Sequence, residues 1–158
     1  MIEARTFIRR GKEIVLWEIV GLFASKEGEI LSDQEWATIL NRVPFDKVRM
    51  LLDLRQFESQ SWRFVYKQED DVIRVLVNNN VVLCPNTFVI NFNEEMQSGD
   101  EETFLNKYDC EIIEKLEFGF NMYRVKSSGN VFNTINELDG LMMVEFVEPE
   151  LIEVIGYR

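Results

Sequence analysis

Thr87-Phe88-Val89-Ile90-Asn91-Phe92 alternates large apolar side chains with smaller or polar ones, which puts Phe88, Ile90 and Phe92 on one face of a β-strand. Downstream, Ser98-Gly99-Asp100-Glu101 has the spacing of a capping box, and its acids suit the positive end of a helix dipole. The helix it would open carries Phe104, Leu105 and Tyr108 as one stripe. Glu111 to Phe118 reads as a second strand, Gly119 as part of a turn, and Asn121 to Lys126 as a third strand. Ser127-Ser128-Gly129-Asn130 opens another helix with Val131, Ile135 and Leu138 inward, and Asp139-Gly140 ends it. Met142 to Val147 is the last strand, stopped by Pro149.

The order strand, helix, strand, strand, helix, strand is that of a ferredoxin-like split βαβ unit, an antiparallel sheet with both helices on one face. Right-handed crossovers put the first and third strands at its centre and the second and fourth at its edges. Such a fold argues for no function by itself.

The first half is less regular. Thr6 to Arg9 and Glu13 to Phe23 read as strands broken at Gly11 and Gly21. Ser32-Asp33-Gln34-Glu35 is a capping box before Trp36, Ile39 and Leu40, and Pro44 stops the short helix it opens. Asp46 to Phe57, with Val48, Leu51 and Leu52 at helical spacing, is expected to be a second helix. Ser61 to Lys67 and Val72 to Val77 flank the polar turn Gln68-Glu69-Asp70-Asp71 and read as a hairpin, with a further turn at Asn78-Asn79-Asn80. The whole is α+β: mixed strands and two short helices over residues 1–82, the ferredoxin-like unit over 83–151, and a tail over 152–158.

Composition narrows the function classes. Over 158 residues, 46% hydrophobic and 12% aromatic content supports a packed core. The net charge of -11 repels a phosphate backbone, so no nucleic-acid partner is expected; Arg5, Arg9, Arg10 and Lys12 are the one contrary patch. An RNA-binding sheet would need aromatics in a basic surround, whereas Met122-Tyr123-Arg124-Val125 offers one outward cation between acidic segments. The chain has no His, which removes Ser-His-Asp and Cys-His chemistry and the commonest zinc ligand. No enzyme, metal site or cofactor is expected. Cys84 and Cys110 read as two free thiols, with a single bridge as the alternative. Asp70-Asp71 and Asp100-Glu101-Glu102 lack the alternating oxygens of a calcium loop. Arg9-Arg10-Gly11-Lys12 followed by Ile14 to Ala24 imitates a signal peptide, but Glu18 interrupts the apolar run, which is also too short to span a membrane. No membrane association is expected, and the cytoplasm is the default location.

The segment 86–151 resembles the N-terminal propeptide of subtilisin-like serine proteases. The likeness is carried by the strand Asn86 to Phe92, the Asn106-Lys107-Tyr108 end of the first helix, the strand pair around Gly119-Phe120-Asn121, and above all Val144-Glu145-Phe146-Val147-Glu148-Pro149-Glu150. It implies an inhibitor and intramolecular chaperone without the protease domain. Such a module acts in cis or in trans: its sheet face packs on two surface helices of the protease, and its tail enters the substrate cleft. The contact candidates are then Glu114, Glu117, Glu145, Val147, Glu148 and Pro149, the carboxylates being suited to helix N-termini. The cleft candidates are Leu151, Ile152, Ile155, Tyr157 and Arg158, which would add a strand to the groove. The rival expectation is a plain interaction domain that self-associates through its sheet, with no protease partner.

Overall fold

The computed structural model describes residues 2–26, 29–43, 55, 63–66, 72–78, 80–117 and 121–153. The strands are β1 (Ile2–Arg9), β2 (Lys12–Ser25), β3 (Arg63–Val65), β4 (Ile73–Val77), β5 (Val81–Pro85), β6 (Thr87–Phe92), β7 (Cys110–Leu116), β8 (Met122–Ser127), β9 (Val144–Pro149) and β10 (Ile152–Glu153). The helices are α1 (Asp33–Leu40), α2 (Glu101–Asn106) and α3 (Val131–Leu138). The result is an α+β chain dominated by antiparallel pairing. It divides into two compact units: one of residues 1–5, 15–85 and 151–158, the other of 6–14 and 86–150. Neither unit is therefore a continuous stretch of sequence, and Val82, where the sequence suggested a division, lies inside β5.

In the second unit the strands run β7-β8-β6-β9, every pair antiparallel. Ile90 faces Tyr123 on one side and Val147 on the other, while Phe88 faces Val125 and Pro149. These residues share one face of the sheet, and Phe88, Ile90, Phe92, Val125 and Val147 are all buried there. Both helices cover that same face. The Tyr123 hydroxyl donates to Glu101 Oε2 at the start of α2, at 3.0 Å, and Ser127 Oγ meets Thr134 Oγ1 of α3 at 2.9 Å. The ring of Phe104 in α2 stands edge-on to Phe92 at 5.7 Å. Residues 6–14 join this unit through Phe7, whose ring lies 6.2 Å from Phe132 of α3, and through Thr6, whose carbonyl accepts from Asn136 Nδ2 at 3.1 Å.

Two local expectations change. Ser98 does not cap α2: the N-cap is Asp100, without a side-chain cap bond, and Glu101 Oε1 instead accepts the Gly99 N–H at 2.8 Å. The buried Tyr123 hydroxyl draws the Glu101 carboxylate inward, so it is unavailable for a reciprocal box with Ser98. The helix stops at Asn106, leaving Tyr108 beyond its end. By contrast α3 is capped as expected, with Asn130 Oδ1 accepting the Phe132 N–H at 2.9 Å.

The first unit holds a six-stranded sheet in the order β1-β2-β4-β5-β10, with β3 also on β2. Its core gathers Ile19, Leu22, Ala24, Trp36, Ile39, Phe64, Val75, Val77, Val81 and Leu83, and Trp36 packs edge-on to Phe64 at 6.1 Å. α1 has the expected capping box: Ser32 Oγ accepts the Glu35 N–H, and Glu35 Oε1 accepts the Ser32 N–H. The expected hairpin of β3 with β4 is not formed. Both strands pair with β2, Phe23 facing Val65 of β3 and Arg74 of β4, so β2 runs between them. β4 instead forms a hairpin with β5 through the Asn78–Asn80 turn. Gly21 does not break β2. It lies in the strand at φ +90, within the register shift between Glu18 and Phe23, a bulge that only glycine fills without strain. Gly11 does turn the chain, with Arg10 beside it also at positive φ. The helix expected over Asp46 to Phe57 lies outside the described residues except for Arg55, which is helical.

Candidate functional site

The sheet face opposite α2 and α3 is built by the alternate positions of four strands. The pairings Val89↔Arg124, Val89↔Glu148, Asn91↔Met122, Asn91↔Phe146 and Glu114↔Arg124 bring these side chains to one surface. Two irregularities re-aim its edges. The register shifts between Ile112 and Glu114, leaving Ile113 exposed, and between Asn91 and Phe92 opposite β9, leaving Glu145 exposed.

Arg124 sits on the second-from-edge strand and, like the exposed Lys126, points to this face. Its Nε is 2.7 Å from Glu150 Oε1, and its Nη1 is 4.0 Å from Glu114 Oε1. A second pair joins Arg9 Nε to Glu148 Oε2 at 3.7 Å, with the Arg9 guanidinium stacked over Phe7 at 5.5 Å. Phe146 and Ile113 supply exposed apolar surface at 36% and 44% accessibility. The surface thus mixes paired carboxylates, arginines and apolar side chains.

The contact candidates divide sharply. Glu114 and Glu148 lie on this face, Glu145 is exposed at the bulge, and Glu117 is exposed just past β7. Val147 and Pro149 are buried on the opposite, helix-covered side and make no docking surface; both face the core strand β6 at Ile90 and Phe88. Of the tail candidates, Leu151 is half-buried and Ile152 is 40% exposed. Ile152 is not a free end, because β10 pairs antiparallel with β5, Ile152 facing Leu83 and Glu153 facing Val82. Ile155, Tyr157 and Arg158 lie outside the described residues. Arg124 points outward as its place in an alternating strand requires, but its partners Glu150 and Glu114 are brought to it only by the sheet.

Two of the four residues of the basic patch, Arg5 and Arg9, are engaged in ion pairs. Arg5 Nε is 2.7 Å from Glu18 Oε1 and its Nη2 is 3.0 Å from Glu3, while Arg9 pairs with Glu148. Glu18, only 3% exposed, also receives Arg74 at 3.4 Å.

An open concavity of about 470 Å³ lies at the ends of β7 and β8, lined by Asn106, Asp109, Cys110, Glu111, Lys126, Ser127 and Ser128. Its Cys110 thiol donates to the Tyr108 carbonyl at 3.3 Å. Burial, with the negative charges of Asp109 and Glu137, pushes this thiol up to about 11, against a hydrogen bond with Ser127 that acts the other way. A thiol so shifted stays protonated at neutral pH and is a poor nucleophile. Cys84 is likewise a buried thiol outside any disulfide. Among the described residues no group of three or more His, Cys, Asp and Glu is placed to hold a metal ion, and no helix is long and apolar enough to cross a membrane.

Comparison with protein-family models finds no match to this chain, and comparisons with curated proteins and with solved structures find none either.

Proposed function

We propose that this chain is a propeptide-like module that binds a subtilisin-like serine protease, helps it fold and inhibits it, acting in cis or in trans. In this reading the β6-α2-β7-β8-α3-β9 unit is a ferredoxin-like split βαβ domain whose helix-free face docks on the protease. The observation that carries the reading is continuity. The sheet face bearing Arg124, Glu114 and Glu148 includes the last strand, β9, which leads through Glu150 into the extended Ile152–Glu153. One face for docking and one extended segment leaving its last strand are the two parts that such inhibition requires. Carboxylates at the face complement the positive ends of partner helices, and an extended segment offers backbone groups to a substrate groove. The work is binding, and no step of it calls on a side chain of this chain as acid, base or nucleophile.

The exposed Phe146 and Ile113 favour a second reading, a non-catalytic interaction domain that self-associates through this sheet. Titration of the purified chain into several subtilisin-like proteases, followed by hydrolysis of a small peptide substrate, separates the two. Stoichiometric, slowly reversing inhibition that is lost on deleting residues 151–158 is the expected result, with circular dichroism showing the shortened chain still folded. A folded, uncut chain that inhibits none of them, and that sediments as a dimer, would replace the first reading by the second.

A further inference from the structure

The segment after β9 has a firm root and a lightly held strand. At the root, the Glu150 N–H donates to the Thr87 carbonyl at 3.2 Å, and the Glu150 carboxylate receives Arg124 Nε at 2.7 Å. Past Leu151 the chain enters β10, whose partner is β5, in the register Ile152↔Leu83 and Glu153↔Val82. The receiving strand is packed into the core: Leu83 is fully buried and Val82 is 7% exposed. The incoming strand is less covered, with Glu153 exposed and Ile152 at 40% exposure. Part of one apolar side chain, backbone pairing and one side-chain clip hold it in place. That clip is Asn80 Nδ2, which donates to Glu153 Oε1 at 3.1 Å. Asn80 is itself fixed in the hairpin turn, where its carbonyl accepts the Asn78 N–H at 3.0 Å.

A strand entering a substrate groove offers the groove its backbone N–H and C=O groups. In β10 the groups on one edge are already committed to β5. The geometry points to a tail dock: the edge of β5, with Asn80 at its tip, holds Ile152–Glu153 as a strap that must peel away before the tail can occupy a protease cleft. This inference rests on the protease-binding reading for the destination of the strap, but not for the dock itself. The peeling point is Leu151, between the bonded Glu150 and the paired Ile152. Release at that point leaves the docking face untouched, so the sheet can seat first and the tail can follow. Exchange of one backbone ladder for another delays the second step, and the docked strap lowers the apparent affinity by the fraction of chain in which it is released.

The test is backbone amide exchange at 151–153 in the full chain, combined with the time course of protease inhibition. Asn80→Ala removes the clip at an exposed turn, and Glu153→Ala removes its acceptor. Either variant is expected to speed exchange of these amides about fivefold, the effect of one lost hydrogen bond. The amides of β6 and β9 should be unchanged, and the double variant should be no faster than either single one. Asn80→Ala, which lies outside the tail, should shorten the onset of inhibition by a similar factor, with an unchanged final level at saturating chain. Amides at 151–153 that exchange at the rate of an unstructured chain in the unaltered protein would overturn the dock. Inhibition whose onset does not respond to Asn80→Ala, although exchange does, would overturn the withholding role. Faster exchange in a chain that inhibits no protease would leave β10 a plain edge strand and sink the protease reading separately.

Discussion

The Tyr123 hydroxyl donates to Glu101 Oε2 at 3.0 Å inside the helix–sheet core, making one hydrogen bond the junction between the first turn of α2 and the second-from-edge strand β8. Burial alone would raise the Glu101 carboxyl. Hydrogen bonds from its own backbone N–H, from Tyr123 and from the Gly99 N–H, with the charge of Lys115, outweigh that and hold it below its ordinary value of 4.5. A carboxyl depressed in the folded state stabilises the fold above its unfolded value, and this contribution is lost as pH falls through the folded one. Urea unfolding followed from neutral pH downward should therefore show stability falling in the acid range below 4.5. Tyr123→Phe should cost about 1–3 kcal/mol at neutral pH, because it leaves a buried carboxylate short of a donor, and it should flatten the acid slope. An unchanged slope in that variant would refute the assignment.

Glu18 is a second buried carboxylate, held by ion pairs. Three per cent exposed, it is held between Arg5 at 2.7 Å and Arg74 at 3.4 Å, on β1 and β4 to either side of its own strand β2. Glu18→Ala should lower stability by about 3–5 kcal/mol, since both arginines then lack their shared counter-charge in a partly buried site. Glu18→Leu with Arg74→Leu together should cost less than the two single replacements added, because replacing both members of a buried pair by apolar groups is less costly than removing one. Denaturant midpoints of Glu18→Leu, Arg74→Leu and the double variant decide it; a double loss equal to or above the sum of the single losses would refute the pairing.

The expectations that held and those that failed divide along one physical line. Ser32 and Glu35 sit three apart, and their box depends on nothing beyond that turn, so it was legible. The same reasoning failed at Ser98, where Glu101 found a better donor in Tyr123, a residue on another strand. β3 and β4 were each visible as strands, but local spacing cannot tell a hairpin from two strands that flank a third, and β2 lies between them. Val147 and Pro149, named as contact candidates by the resemblance alone, turn inward because they alternate with Phe146 and Glu148 and face Ile90 and Phe88 of β6. Glu18 was visible as a lone acid in an apolar strand, but its partners lie 13 residues before it and far downstream. Strands, caps and turns follow from neighbours in sequence; pair identities follow from strand order.

Gly21 tests the bulge directly. Its φ is +90, and a Cβ built there meets nothing within 4 Å. Backbone strain alone should therefore set the effect of Gly21→Ala, about 1–2 kcal/mol of destabilisation. Gly129, with ordinary φ and equally open space, should tolerate alanine with little change. Equal effects at the two positions would mean that β2 does not carry the bulge.

Cys110 should be slow in thiol chemistry. With its thiol pushed up to about 11 by burial first and then by Asp109 and Glu137, it holds almost no thiolate at neutral pH. Thiol-reactive dyes should label the native chain slowly and label both buried cysteines at once in denaturant. A thiol raised in the folded state contributes stability below its unfolded value, and loses it as pH rises through the folded one. Alkaline unfolding should therefore gain a Cys110-dependent component between 9.0 and about 11, absent in Cys110→Ser. Rapid labelling of native Cys110 would contradict its burial.

Val147 and Glu148 are adjacent in the chain and opposite in the sheet, so under the protease-binding proposal one pair of variants separates docking from stability. Val147 is 1% exposed against Ile90, so Val147→Ala should cost about 1–3 kcal/mol through lost burial and the cavity left behind. It should leave inhibition by the folded fraction nearly unchanged. Glu148 is half-exposed and paired with Arg9 at 3.7 Å, a contact that contributes no more than about 1 kcal/mol at a surface. Glu148→Lys should therefore barely move the unfolding midpoint, but it should weaken inhibition about tenfold by setting two like charges together on the docking face. The diagnostic is the crossing of the two effects. If Val147→Ala weakens inhibition at full folding while Glu148→Lys does not, the protease meets some surface other than the one bearing Arg124, and the docking face has been assigned to the wrong side of the sheet.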